Sequence, residues 1–142
     1  MRIAASSGSC ALAAVSLALA SFAAQALNNC STFIDRRARA NVTINIVQPF
    51  RYSPACVMIA VDASVTFNAD FGDHPLFAGV VSDGQATFDP QSPIGAHSNG
   101  TTPVVVSFPA TGEFPYFCDR HFLQAMMGSI KVVPEFFSDG FE

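Results

Sequence analysis

Apolar and polar positions alternate along most of the chain with a period of two. Val42–Gln48 reads Val-Thr-Ile-Asn-Ile-Val-Gln, the pattern of a strand with one buried face. Cys56–Val61 and Ser64–Phe67 are short runs rich in residues that suit a pleated surface. Leu76–Val81 follows the break at Asp73-His74-Pro75, and Ala86–Phe88 predicts a short edge strand. Asp89–Thr102 holds two Pro, two Gly and two Ser, which predicts a long loop. Pro103–Phe108 is the most buried-looking strand, with Pro at its first position, where the missing N–H is tolerated. Phe114–Cys118 and Ser129–Val133 complete the set. No segment keeps a helical period between caps. About seven or eight short strands separated by turn residues predict an all-β sandwich or barrel in one domain.

The first 26 residues break this pattern. Arg2 gives a positive start, Ala11–Ala20 is an apolar core, and Ala24-Gln25-Ala26 supplies a small-x-small cleavage site. This predicts a secretory signal peptide over 1–26, cut after Ala26. An N-terminal helix packed on the domain is the alternative, but so Ala- and Ser-rich a run offers little to pack. No apolar run reaches the roughly 18–20 residues of a membrane-spanning helix. The expected organisation is a domain over 27–133 and an acidic, aromatic tail over 134–142. The expected location is periplasmic or secreted, where disulfides persist.

Composition narrows the function classes. Half of the residues are hydrophobic and 13% are charged, which excludes a disordered chain. Seven Lys+Arg stand against eleven Asp+Glu, too few cations for phosphate neutralisation, so no nucleic-acid partner is expected. Once Cys10 leaves with the signal, Cys30, Cys56 and Cys118 remain. An odd count in an exported protein is a flag. We expect Cys30 and Cys56 to pair, stapling the N-terminus to a strand, and Cys118 to stand alone.

Cys118 opens the chemistry. His121 follows across Asp119-Arg120, and Met126 comes five residues later. A thiolate, an imidazole and a thioether on one short loop select a soft or borderline metal, and copper fits best. Zinc sites seldom use Met. A second imidazole would complete a His₂Cys set, and His74 is the natural supplier; His97, in the long loop, is the alternative. Met127 is the rival of Met126. Each candidate ligand also has a plain structural reading: a buried thiol for Cys118, a surface histidine for His121, core packing for the methionines.

The run Gly112-Glu113-Phe114-Pro115-Tyr116-Phe117-Cys118, continuing to His121, Met126, Gly128 and Ile130, resembles the C-terminal copper-binding loop of the plastocyanin/pseudoazurin group of cupredoxins. The match covers the last part of the domain closely and reaches the middle through His74. The resemblance implies a Greek-key β-sandwich, cupredoxin-like, with one type 1 (blue) copper near one end. His74, Cys118 and His121 would be the strong ligands and Met126 the weak axial one, since Met126 stands two residues before Gly128 as the family's axial Met does. The Cys30–Cys56 pair resembles the N-terminal disulfide of azurins. Family members expose an edge of the C-terminal ligand histidine in an apolar patch, and Leu76, Phe77 and Phe122 are the candidates for it here, with core packing as the alternative for all three. One residue departs from the pattern. Pro75 stands where many relatives carry Asn, and it lacks the N–H that would reach the Cys118 sulfur.

The function expected from this resemblance is transport of single electrons between transient redox protein partners by a monomer that is not an enzyme. The alternatives are a copper-binding module for storage or delivery, and a structural cupredoxin-like domain without metal.

Overall fold

The computed structural model describes residues 26–135. The expected signal peptide and most of the expected tail therefore lie outside the described residues. Eleven strands are present among the described residues: β1 (Ile34–Asp35), β2 (Asn41–Val47), β3 (Arg51–Ser53), β4 (Cys56–Ala60), β5 (Ser64–Asn68), β6 (Leu76–Ser82), β7 (Gln85–Phe88), β8 (Ala96–His97), β9 (Val104–Ser107), β10 (Gly112–Cys118) and β11 (Met127–Val133). The sequence pattern anticipates every strand of four or more residues. It misses β1, β3 and β8, which are too short to show a period. No described helix is long and apolar enough to cross a membrane.

The strands form two sheets. The larger runs β1-β4-β11-β10-β6-β7, with β8 also paired to β6, and the smaller runs β3-β2-β5-β9. Pairing is mixed: β1 with β4, β4 with β11 and β2 with β5 are parallel, and the rest are antiparallel. Consecutive strands of the chain often belong to different sheets, which closes the sandwich.

Alternation sends one face of each sheet into the core. Val42 and Ile44 of β2 and Val65 and Phe67 of β5 face Val57 and Ile59 of β4 and Ile130 and Val132 of β11 across one buried cluster. Tyr116 of β10 lies at its centre. Phe67 and Tyr52 meet its ring edge-on at 5.1 and 5.0 Å, and its hydroxyl donates to the Ala55 carbonyl at 2.7 Å. Its strand partner is Gly128. A Cβ there would overlap the Ala55 carbonyl and the Tyr116 hydroxyl, so only glycine leaves room for the tyrosine.

The N-terminal segment crosses the larger sheet. Asn28 is 3% exposed. Its amide donates to the carbonyls of Gly79, Tyr116 and Gly128 at 3.0, 2.8 and 3.2 Å, and its side-chain oxygen accepts the Val81 N–H at 2.8 Å. One side chain thus ties β6, β10 and β11 together. The Cys30–Cys56 disulfide fastens the same segment to β4.

Candidate metal centre

Three elements converge at one pole of the sandwich. Strand β10 ends at Cys118, and the chain turns back to β11 through residues 119–126. Hydrogen bonds close that loop: Cys118 N–H donates to the Met126 carbonyl at 2.9 Å, Met126 N–H to the His121 carbonyl at 3.2 Å, and His121 N–H to the Cys118 carbonyl at 3.2 Å. A single 3-10 turn, Phe122–Gln124, ends at Ala125 in the left-handed region (φ 63°). This reversal brings Met126 back beneath the loop, where it is fully buried.

His74 arrives from the connection between β5 and β6. The Asp70 side chain accepts the Gly72 N–H at 2.9 Å, and the Asp70 carbonyl accepts the His74 N–H at 2.8 Å. The Pro75 carbonyl accepts the Asp119 N–H at 2.9 Å, and the next residue, Leu76, pairs with Cys118. His74 is therefore anchored directly to the loop that carries the other candidate ligands.

The donor atoms of His74, Cys118 and His121 all lie within 4.8 Å of one another. Cys118 Sγ is 3.4 Å from His121 Nδ1, and the two imidazole rings are 5.0 Å apart. His74 is 8% exposed, and its buried Nδ1 has no hydrogen-bond partner among the described residues. Buried polar atoms are normally satisfied, so an orphaned imidazole nitrogen beside a thiol and a second imidazole fits a metal-ligating role. Burial pushes the His74 pKa down, and a charge on His121 would push it the same way; Asp73 and Asp70 oppose both. Burial raises the Cys118 thiol pKa, while the Arg120 and His121 N–H groups lower it. Without a metal, both environments favour neutral groups.

Met126 belongs to the same buried cluster as Cys118. Met127 begins β11 opposite Phe117, whose neighbours in the strand, Tyr116 and Cys118, face inward. Alternation thus turns Met127 to the other side of the sheet. His97 stands apart: its Nε2 is 2.8 Å from the Ile94 carbonyl, and it is outside the three-donor cluster.

Of the expected patch residues Leu76, Phe77 and Phe122, Leu76 cannot line an exposed surface. Leu76 is fully buried in the core, because its pairing with Cys118 turns both side chains inward. Phe77 is partly buried, stacked on Phe117 and edge-on to Phe88, and Phe122 packs edge-on to Phe117. The ring over His121 is Phe50, with centroids 4.1 Å apart and planes 18° from parallel. No signal in the alternation singled Phe50 out.

No protein-family model matches the chain, and no curated protein matches it. Among solved structures the chain is similar to a pseudoazurin from Methylobacterium extorquens, at 20% identity over 65% of this chain and 74% of that one, with a TM-score of 0.47. It is similar to an auracyanin from Roseiflexus castenholzii, at 17% identity over 68% and 98% and a TM-score of 0.46. It is also similar to a plastocyanin from Dryopteris crassirhizoma, at 12% identity over 65% and 100% and a TM-score of 0.43. The two mixed sheets form the β-sandwich that the copper-loop resemblance implies, with the His-Cys-His cluster at one pole. Within it, His74, Cys118 and His121 form a group able to hold a metal ion.

Proposed function

We propose that this protein is an exported electron carrier with one type 1 copper, held by His74, Cys118 and His121 and weakly by Met126. The observation that carries the reading is the convergence of a thiol and two imidazoles within 4.8 Å, with one buried imidazole nitrogen left unpaired among the described residues. Softness of the donor set favours copper over zinc. Bound copper would supply a one-electron Cu(I)/Cu(II) couple.

The chain's own part is to hold the donors still. Cys118 and Met126 are tied by a backbone hydrogen bond, and His74 is anchored through Asp70 and Pro75. A donor set fixed by backbone bonds and a packed core moves little when the charge on it changes. Four protein donors leave little room for a substrate, which supports a carrier rather than an enzyme. Exchange with protein partners would be brief and use a small interface. The expected signal peptide and the disulfide support a periplasmic or secreted location.

Visible and EPR spectra of the Cu(II)-loaded protein, taken beside Cys118→Ala, test the reading. The expected result is an intense blue thiolate-to-copper band with narrow copper hyperfine splitting, both lost in Cys118→Ala. A colourless protein, or copper binding indifferent to Cys118, would overturn it.

A further inference from the structure

Among the three clustered donors, His121 is the least buried, and its ring is covered by a residue from the opposite sheet. Phe50 lies on the turn between β2 and β3 and stacks on the imidazole at 4.1 Å and 18°. Its centroid is also 6.4 Å from the His74 ring. The turn is held on both sides. Val47 pairs with Arg51, and Ile46 with Tyr52; Tyr52 is 3% exposed and packs edge-on to Tyr116. Phe50 thus stands two residues from a core anchor, yet it keeps 37% of its own surface in solvent. A large apolar ring held over one imidazole, and not sunk into the core, calls for an explanation.

We infer that Phe50 is a positioning residue for His121; the inference rests on the reading of His74, Cys118 and His121 as copper ligands. The ring torsion of a histidine is broad and weakly restrained. His121 sits on a short loop whose backbone bonds fix its Cα but not the plane of its ring. Phe50 presses on the imidazole face and leaves in-plane orientations in which one nitrogen points at the Cys118 sulfur. It also shields that face from water and chelators, at the donor most open to them. Neighbours that orient a metal ligand commonly change metal affinity 10–100-fold when removed.

Phe50→Leu keeps the apolar bulk and removes the ring, and Phe50→Tyr restores a ring. NMR of the metal-free proteins reads the stack directly. The wild type and Phe50→Tyr should show His121 ring protons shifted upfield with cross-relaxation to residue 50, and Phe50→Leu should lose both while its amide spectrum stays folded. In the Cu(I)-loaded proteins, transfer to a competing chelator should be about tenfold faster for Phe50→Leu and return toward the wild-type rate for Phe50→Tyr. The Cu(II) form of Phe50→Leu should show altered EPR hyperfine splitting. The inference is overturned if the wild type lacks the upfield shift, or if Phe50→Leu releases copper at the wild-type rate with an unchanged EPR spectrum. A wild type that takes up no copper overturns the copper reading instead, and the ring-shift comparison then decides whether Phe50 orients His121.

Discussion

Pro75 and Phe50 show how single residues shape a site whose donors are set elsewhere. Pro75 presents a carbonyl to Asp119 and has no N–H to offer the Cys118 sulfur. Hydrogen bonds to a ligating sulfur stabilise the thiolate and tune a copper potential. Pro75→Asn should therefore raise the reduction potential, on the order of tens of millivolts, where ~59 mV is a tenfold change for one electron. Voltammetry giving an unchanged or lower value would sink that argument. The two residues also mark the limit of sequence reading at this scale. Cys118 and His121 were legible because one local loop carries them, and His74 because few histidines compete for the role. Phe50 was not legible, since it reaches His121 only when the two sheets close. Leu76 was misplaced for a related reason: which side of β6 faces the core depends on its register with β10, and register is a property of the pair.

Among the elements, the long strands declared themselves through alternation, and β1, β3 and β8 did not. A two-residue strand exists because a neighbour is already in place; β8, for instance, pairs its Ala96 and His97 with Phe77 and Leu76 of β6. The Asn28 crossing is of the same kind, since a lone Asn in an N-terminal segment looks like a loop residue. Its four hydrogen bonds to β6, β10 and β11 predict an effect out of proportion to its size. Asn28→Ala would leave buried backbone groups unpaired, at about 1–3 kcal/mol for each one left unsatisfied, and should lower the urea midpoint clearly. Asn28→Asp should be worse, because a carboxylate would face three carbonyl oxygens. A midpoint within error of the wild type would show that water replaces the side chain freely.

For the whole molecule, the staple and the candidate ligands sit on different strands of the larger sheet, although Cys56 of β4 is in register with Ser129, near the end of β11 that follows the ligand loop. Cys30–Cys56 closes a loop of 26 residues, worth about 3 kcal/mol in the chain-entropy picture, which is model-dependent. The double substitution Cys30→Ser with Cys56→Ser should lower unfolding free energy by roughly that much while leaving the spectrum of the copper-loaded protein unchanged. A changed copper spectrum would show that the staple, which reaches β11 beside Ser129, also helps to set the ligand geometry. Order along the chain gives the staple a further consequence, in the timing of oxidation. Cys30 and Cys56 precede Cys118, so in a chain delivered N-terminus first the two partners meet the oxidant before the third thiol emerges. The competing pairings would close longer loops, and loop closure disfavours them by about 0.6 kcal/mol for each doubling of length. Once the sandwich closes, Cys118 is buried and withdrawn from exchange. In an exported chain, the sequence order of the cysteines would thereby keep a reduced thiol available for a metal in surroundings that oxidise thiols.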